Sequence, residues 1–368
     1  MLAQVHAAPA EVTVGEEIYE CRVCAVLRAA LLSRNTLATE PVARLTCDHR
    51  RRPTVRTRSL DSLALKRCML ALVRRRLGGA RARSGVGLAL AAALVVVPET
   101  RGSAIAPAVT VVRDVAYGTD PKQRFDVYVP RGARNAPVVL MVHGGAWRIG
   151  DKRSRGVVGN KVERWARAGI VVISVNYRML PGTDPVEQAR DVGRALAAAQ
   201  ARLAGWGGDP GKVVLMGHSS GAHLVALLDA RPSLATSLGA RAWLGAIILD
   251  SAALDVVQTM TVSHLPLYTR AFGADRDYWR QASPAHHLAA GVKPMLLVCS
   301  SLRRDSCPAA TRFAAKATSV GVRAEVVPVP KSHAAIDAEL GAPGEYTEAV
   351  EAFLRTLDPS LARAIAAR

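Results

Sequence analysis

Gly217-His218-Ser219-Ser220-Gly221 sets a serine between two glycines where the apolar run Lys212 to Met216 gives way to A-H-L-V-A-L-L at 222–228. At a strand-to-helix junction, G-x-S-x-G forms a tight turn that thrusts the hydroxyl out at a helix N-terminus. Backbone N–H groups and the helix dipole there favour a developing anion. The register selects Ser219 over Ser220, and the chemistry is nucleophilic attack on a carbonyl. A second small-residue run, His143-Gly144-Gly145-Ala146-Trp147, follows the apolar stretch ending at Val142. The N–H groups of Gly144, Gly145 and Ala146, with that of Ser220, are expected to form an oxyanion hole. One such donor is worth ~3 kcal/mol of barrier. His143 is expected to order this loop.

A serine hydroxyl attacks poorly until a base takes its proton, and that base needs an orienting carboxylate. With this elbow the chain order is serine, acid, histidine. His333, in Lys331-Ser332-His333 beyond the last apolar run, is the expected base; His223, His264, His286 and His287 all precede the final strands. Asp305, in the loop after Met295 to Cys299, is the expected acid. Asp250, which ends the preceding strand, is the runner-up, and Asp255 ranks third.

These residues need a scaffold, and from residue 108 onward the pattern is orderly. Val109 to Asp114 and Phe125 to Tyr128 read as an antiparallel pair around the turn Gly118-Thr119-Asp120-Pro121. Pro137 to Val142 is a continuous apolar run, as in a strand covered on both faces. Further strands are expected at Ile170 to Val175, Lys212 to Met216, Trp243 to Leu249, Met295 to Cys299 and Arg323 to Val329. Helices are expected at about 157–168, Pro185 to Ala204, from Ala222 to Asp229, near 308–319 and near 343–357. Strands alternating with helices give an α/β class with about eight strands, mostly parallel, and helices on both faces. Residues 251–291 exceed an ordinary connection and are expected to form a small cap over the strand C-termini.

Half of the 368 residues are apolar, but residues 1–104 contain a single aromatic, Tyr19. All Trp and Phe lie beyond, which places the catalytic domain at 105–368. The net charge of +19 includes 17 Lys and Arg against 8 Asp and Glu in residues 1–104. The remainder shows no basic stripe interleaved with aromatics, which argues against a nucleic-acid partner. A basic stretch from Arg74 to Arg83, an apolar run from Val86 to Val97 and Gly102-Ser103-Ala104 have the three parts of a secretory signal. The run is too short to span a bilayer, which takes roughly 20 residues. The expectation is a signal peptide at 69–104, starting from Met69, with cleavage after Ala104. Residues 1–68 are then an untranslated or disordered leader, with a cytoplasmic segment before a signal-anchor as the competing reading. The mature protein is expected to be exported, periplasmic or secreted. Cys21, Cys24, Cys47 and His49 lack the paired spacing of a zinc site, so no metal is expected. Export would leave Cys299 and Cys307 in an oxidising compartment, near enough in sequence for a local bridge.

With its motifs placed, the chain resembles carboxylesterases of the α/β-hydrolase superfamily, in the hormone-sensitive-lipase and kynurenine-formamidase branch and nearest the BD-FAE-like group. The carrying residues are H-G-G-A-W (143–147), N-Y-R (176–178), G-H-S-S-G-A-H (217–223), R-R-D-S-C-P (303–308) and S-H (332–333). The resemblance covers about 110–358. It implies hydrolysis of small carboxylic esters through an acyl-enzyme without a cofactor. Ala146 stands where the lipase relatives have a third glycine and agrees with the formamidase-like pattern, so amide or formamide cleavage stays open. A non-catalytic binding module on the same fold is the remaining alternative. The natural acyl and alcohol groups and the oligomeric state are not specified by these motifs.

Overall fold

The computed structural model describes residues 109–367. The expected leader, signal peptide and Cys21/Cys24/Cys47/His49 group lie outside the described residues. Eight strands, β1 (Val109–Ala116), β2 (Arg124–Pro130), β3 (Ala136–Val142), β4 (Val171–Val175), β5 (Gly208–His218), β6 (Gly245–Leu249), β7 (Met295–Ser300) and β8 (Ala324–Val329), form one sheet. Their order is β1-β2-β4-β3-β5-β6-β7-β8. β2 runs antiparallel to both neighbours, and from β4 to β8 every pairing is parallel.

Every residue of β3, β4, β6 and β7 is buried, which explains why these strands read as unbroken apolar runs rather than alternating ones. Alternate residues serve opposite cores. Val138, Leu140 and Val142 face one, with Leu196, Leu227 and Phe313; Val139 and Met141 face the other, with Trp165, Phe353 and Leu361. The helices supplying those layers are α1 (Arg155–Lys161), α2 (Pro185–Gln200), α3 (Ser220–Ala230), the single turn α4 (Ser233–Thr236), and, further on, α8 (Ser306–Ser319), α9 (His333–Glu339), α10 (Glu345–Leu357) and α11 (Pro359–Ala366). Between β6 and β7 lie α5 (Val256–Thr261), α6 (Pro266–Phe272) and α7 (Arg276–Ala282), the cap anticipated for this stretch.

Local chemistry sets these boundaries. Asp184 caps α2 by accepting from the N–H groups of Val186 and Glu187, with Pro185 at the first helical position. The helix ends at Gln200, and a separate 3₁₀ turn, Leu203–Trp206, fills the rest of the longer helix expected there. α1 widens into a π turn over Val162–Ala166. Among the described residues, no helix is long and apolar enough to cross a membrane.

Candidate active site

The turn after β5 holds Ser219 at φ 55° and ψ −119°, a conformation that costs an L-residue energy and persists only where its surroundings impose it. The flanking glycines show how it is imposed. A Cβ on Gly217 would meet the Gly221 carbonyl oxygen at 2.3 Å, and one on Gly221 would meet the carbonyl oxygens of Val142 and His143 at 2.4 Å. The Ser219 N–H is tied to the Leu249 carbonyl at 2.9 Å, fastening the elbow to β6. Ser220 begins α3 and is buried, so the register presents Ser219.

The loop after β3 approaches from the other side. A Cβ on Gly144 would lie 2.9 Å from the Ser219 Cβ, which puts this backbone directly beside the nucleophile. Gly145 has φ 126°, and the next two residues, Ala146 and Trp147, are also left-handed, at φ 51° and 59°. Among the described residues, the N–H groups of Gly144, Gly145, Ala146 and Ser220, the four expected donors, have no hydrogen-bond partner. Such donors are available to a substrate oxyanion.

The strained loop is held by its neighbours. The Tyr177 hydroxyl donates to the His143 carbonyl at 3.0 Å, and the two rings stack at 4.6 Å. His143 Nδ1 bonds the Gly144 carbonyl at 2.7 Å, so this histidine orders the loop as expected. Trp147 is buried and donates from Nε1 to Nδ1 of His223, which in turn donates from Nε2 to the Ala282 carbonyl in the cap. Burial pushes the His223 imidazole down to about 4, so at neutral pH it is the uncharged tautomer this relay requires.

His333 opens α9, whose N-cap Ser332 accepts from the Ala335 N–H. Its Nε2 lies 2.9 Å from Ser219 Oγ and its Nδ1 lies 2.5 Å from Asp250 Oδ2. Serine, imidazole and carboxylate are thus in line. The carboxylate is the runner-up rather than the expected acid. Asp305 points outward, its side chain about half exposed and paired with Arg303 Nη2 at 2.8 Å. Asp250 wins for a topological reason. It ends β6, the sheet neighbour of the elbow strand, and its own left-handed backbone, φ 53°, turns the side chain toward His333. The residue that turns inward from the later loop is Ser306, which donates to Asp250 Oδ1. Asp255 serves elsewhere, capping α5.

Two further groups complete the carboxylate's shell. The Ser300 N–H donates to Oδ1 at 2.8 Å, and Arg303 Nη1 donates to Oδ2 at 2.8 Å. Burial alone would push the Asp250 carboxyl up, but donation from His333, Ser306, Ser300 and Arg303 outweighs it and holds the group well below the usual carboxylate range. Asp250 is therefore an anion throughout the neutral range. A disulfide between Cys299 and Cys307, Cα atoms 5.0 Å apart, bridges the ends of the loop that carries Arg303, Asp305 and Ser306. Arg303 and Ser306 stand in the R-R-D-S-C-P run, but nothing in that run by itself assigns them a role beside the acid. The signal that could have found them is the pair of cysteines bracketing a polar loop next to a carboxylate-ended strand.

A cavity of about 930 Å³ lies between the cap and α8, lined in part by Leu254, Val257, Leu265, Tyr268, Asp305 and Phe313. The Tyr268 ring stands 6.0 Å from Trp147, which joins the cavity wall to the loop beside Ser219. Among the described residues, no cluster of three or more His, Cys, Asp or Glu is arranged to hold a metal ion.

Comparison with known proteins bears on this arrangement. Residues 125–242 match the family model BD-FAE. A probable isoprenylcysteine alpha-carbonyl methylesterase of Oryza sativa subsp. japonica is 37% identical over 117 residues, 32% of this chain and 28% of that protein. Esterase LipC of Mycobacterium tuberculosis is 39% identical over 117 residues, 31% of this chain and 28% of that protein. The chain thus aligns with little more than a quarter of the length of these curated relatives. Among solved structures, a truncated carbohydrate esterase from gut microbiota superposes with a TM-score of 0.58 at 16% identity, covering 69% of this chain and 96% of that one. Esterase B from Lactobacillus rhamnosis gives 0.57 at 20% identity, covering 83% and 95%. The fold is that of the α/β-hydrolases.

Proposed function

We propose that the protein is a serine esterase that hydrolyses small carboxylic esters through an acyl-enzyme. The observation that carries this reading is the line from Ser219 Oγ through His333 to Asp250, at 2.9 Å and 2.5 Å. His333 Nε2 takes the Ser219 proton as the oxygen attacks the ester carbonyl. Asp250 holds Nδ1–H and balances the imidazolium charge that forms. The oxyanion is received by the free N–H groups of Gly145, Ala146 and Ser220, with Gly144 keeping the loop close. His333 then protonates the leaving alcohol, and a water repeats the cycle on the acyl-enzyme. No cofactor is called upon. The cavity beside Tyr268 is large enough for the acyl or alcohol group of a small ester.

A fluorophosphonate probe tests the reading directly. One equivalent should label the wild type at Ser219, and Ser219→Ala should neither be labelled nor turn over p-nitrophenyl acetate, with kcat down by roughly 10⁴–10⁶. Labelling elsewhere, or turnover surviving in the variant, removes Ser219 from the role. Assaying N-formyl aromatic amines beside acetyl esters separates esterase from formamidase action. We further propose that the enzyme acts outside the cytoplasm, a reading supported by the Cys299–Cys307 bridge and the basic-apolar-small run that ends at Ala104. Fractionation of the native host should find it in the periplasm or medium; recovery from the cytosol would overturn this.

A further inference from the structure

We infer that Arg303 is a positioning residue of this site: its guanidinium fixes the Asp250 carboxylate and, as a permanent positive charge beside His333, sets the pH at which the imidazole becomes free to act as base. The inference rests on the esterase reading for its kinetic consequence but not for its electrostatic one.

Arg303 Nη1 lies 2.8 Å from Asp250 Oδ2 and 2.9 Å from His333 Nδ1. Because Nδ1 donates its own hydrogen to the same Oδ2, two donors share one oxygen and the guanidinium sits against the edge of the imidazole. The Arg303 side chain is about three-quarters buried, so water screens this charge only partly. Its second arm, Nη2, is held at 2.8 Å by Asp305. The residue expected to be the triad acid thus acts one step removed, on the cation that contacts the triad.

The other groups facing His333 do not supply a competing charge. From the end of β5, the His218 ring lies 4.5 Å away and donates from Nε2 to the His333 carbonyl at 2.9 Å. Burial pushes His218 down to about 4, so it is neutral where the enzyme would work. From α9, Asp337 stands 3.7 Å from His218, but its charge is matched by Lys161 of α1 at 2.8 Å. Lys331 and Glu339 pair with each other. From the cap, burial raises the Tyr268 phenol, which stays uncharged. Asp250 favours the imidazolium, Arg303 opposes it, and Asp305 partly offsets Arg303.

Removing the cation should make His333 easier to protonate, and protonated His333 cannot accept from serine. Arg303→Met should therefore move the acid limb of kcat/KM for p-nitrophenyl acetate to higher pH, by roughly one unit. Asp305→Asn strips Arg303 of its counter-charge and should move the limb the other way, to lower pH, by a smaller amount. Arg303→Lys keeps the charge and should restore most of the wild-type limb. The direct readout is the ¹⁵N NMR titration of the His333 ring, which needs no turnover and should shift in the same senses. An unmoved or downward limb and titration in Arg303→Met overturns the inference, as does a Lys variant that behaves like Met. If Arg303→Met does not fold, the downward shift of Asp305→Asn, read against a near-wild-type limb in Arg303→Lys, decides it: an unmoved or upward shift in Asp305→Asn counts against. A wild type that neither hydrolyses the ester nor takes the fluorophosphonate refutes the esterase reading alone, while the ring titration still decides the role of Arg303.

Discussion

Four donors crowd the Asp250 carboxylate and leave it no direct contact with solvent. Oδ1 accepts from Ser300 and Ser306, Oδ2 from His333 and Arg303, and the backbone N–H is taken by the Val298 carbonyl. A carboxylate so held orients the imidazole and stabilises its charged form, so Asp250→Asn should lower kcat on a short p-nitrophenyl ester by roughly 10⁴ with folding intact. Asp305→Asn, measured at the pH optimum in the same assay, should stay within about threefold of wild type, because Asp305 reaches the triad only through Arg303. The contrast between these two carboxylates marks what single residues reveal before folding. Ser219, His333 and the 143–147 run were legible because the elbow and the glycine loop are backbone devices, and backbone devices leave spacing in the sequence. The acid is a side-chain direction. Two aspartates end or follow adjacent parallel strands, and only the left-handed turn at 250 and the outward turn at 305 separate them.

The elements that present these residues are joined by close backbone approach. Gly221→Ala would drive a methyl into two β3-end carbonyls, and neither backbone atom can yield cheaply. The variant should be recovered poorly or with a depressed melting temperature, and the soluble fraction should label slowly with fluorophosphonate. The loop before α8 is secured differently, by the Cys299–Cys307 bridge across a sequence separation of 8. Replacing both cysteines by alanine removes a loop-closure contribution of roughly 2–3 kcal/mol. Thermal melts should show that loss, together with a fall in kcat, since Arg303 and Ser306 ride on this loop. The strands were readable along their length because a parallel strand buried on both faces is apolar without interruption. The cap was foreseen as a long connection, but its helices of six and seven residues are too short to display a helical period. The helices at His333–Glu339 and Pro359–Ala366 were not foreseen, being similarly short and lying close behind prolines.

Across the whole molecule, stability should carry the imprint of one buried acid. Asp229 is fully buried on α3, and burial pushes its carboxyl up to about 7 against the opposing hydrogen bond from Trp243. A folded-state value raised above the unfolded one means the contribution is intact below about pH 4 and is lost as pH climbs to about 7. Denaturation midpoints should therefore fall between pH 5 and 8 in the wild type, by an amount of order 1–4 kcal/mol in free energy, and stay flatter in Asp229→Asn. Asn keeps the acceptor for Trp243, so a loss of stability in that variant at pH 8 would contradict the assignment. At the acid end the sign reverses. Burial of Asp126 is outweighed by donation from Arg153, the Asp114 N–H and Lys152, which hold it at about 2, so its contribution persists until pH falls toward that value. The layered architecture was visible in advance because alternation of strands and helices is a property of the entire chain. The partition of that alternation into two cores was not, since it depends on which way each pleat faces. One more consequence belongs at this scale. The stitch from Trp147 through His223 to Ala282 ties the oxyanion loop and the elbow helix to the roof of the site. That anchor holds the roof against swinging open at an oil–water boundary. Hydrolysis of a sparingly soluble triglyceride should accordingly rise smoothly with its concentration, with no jump where droplets first form.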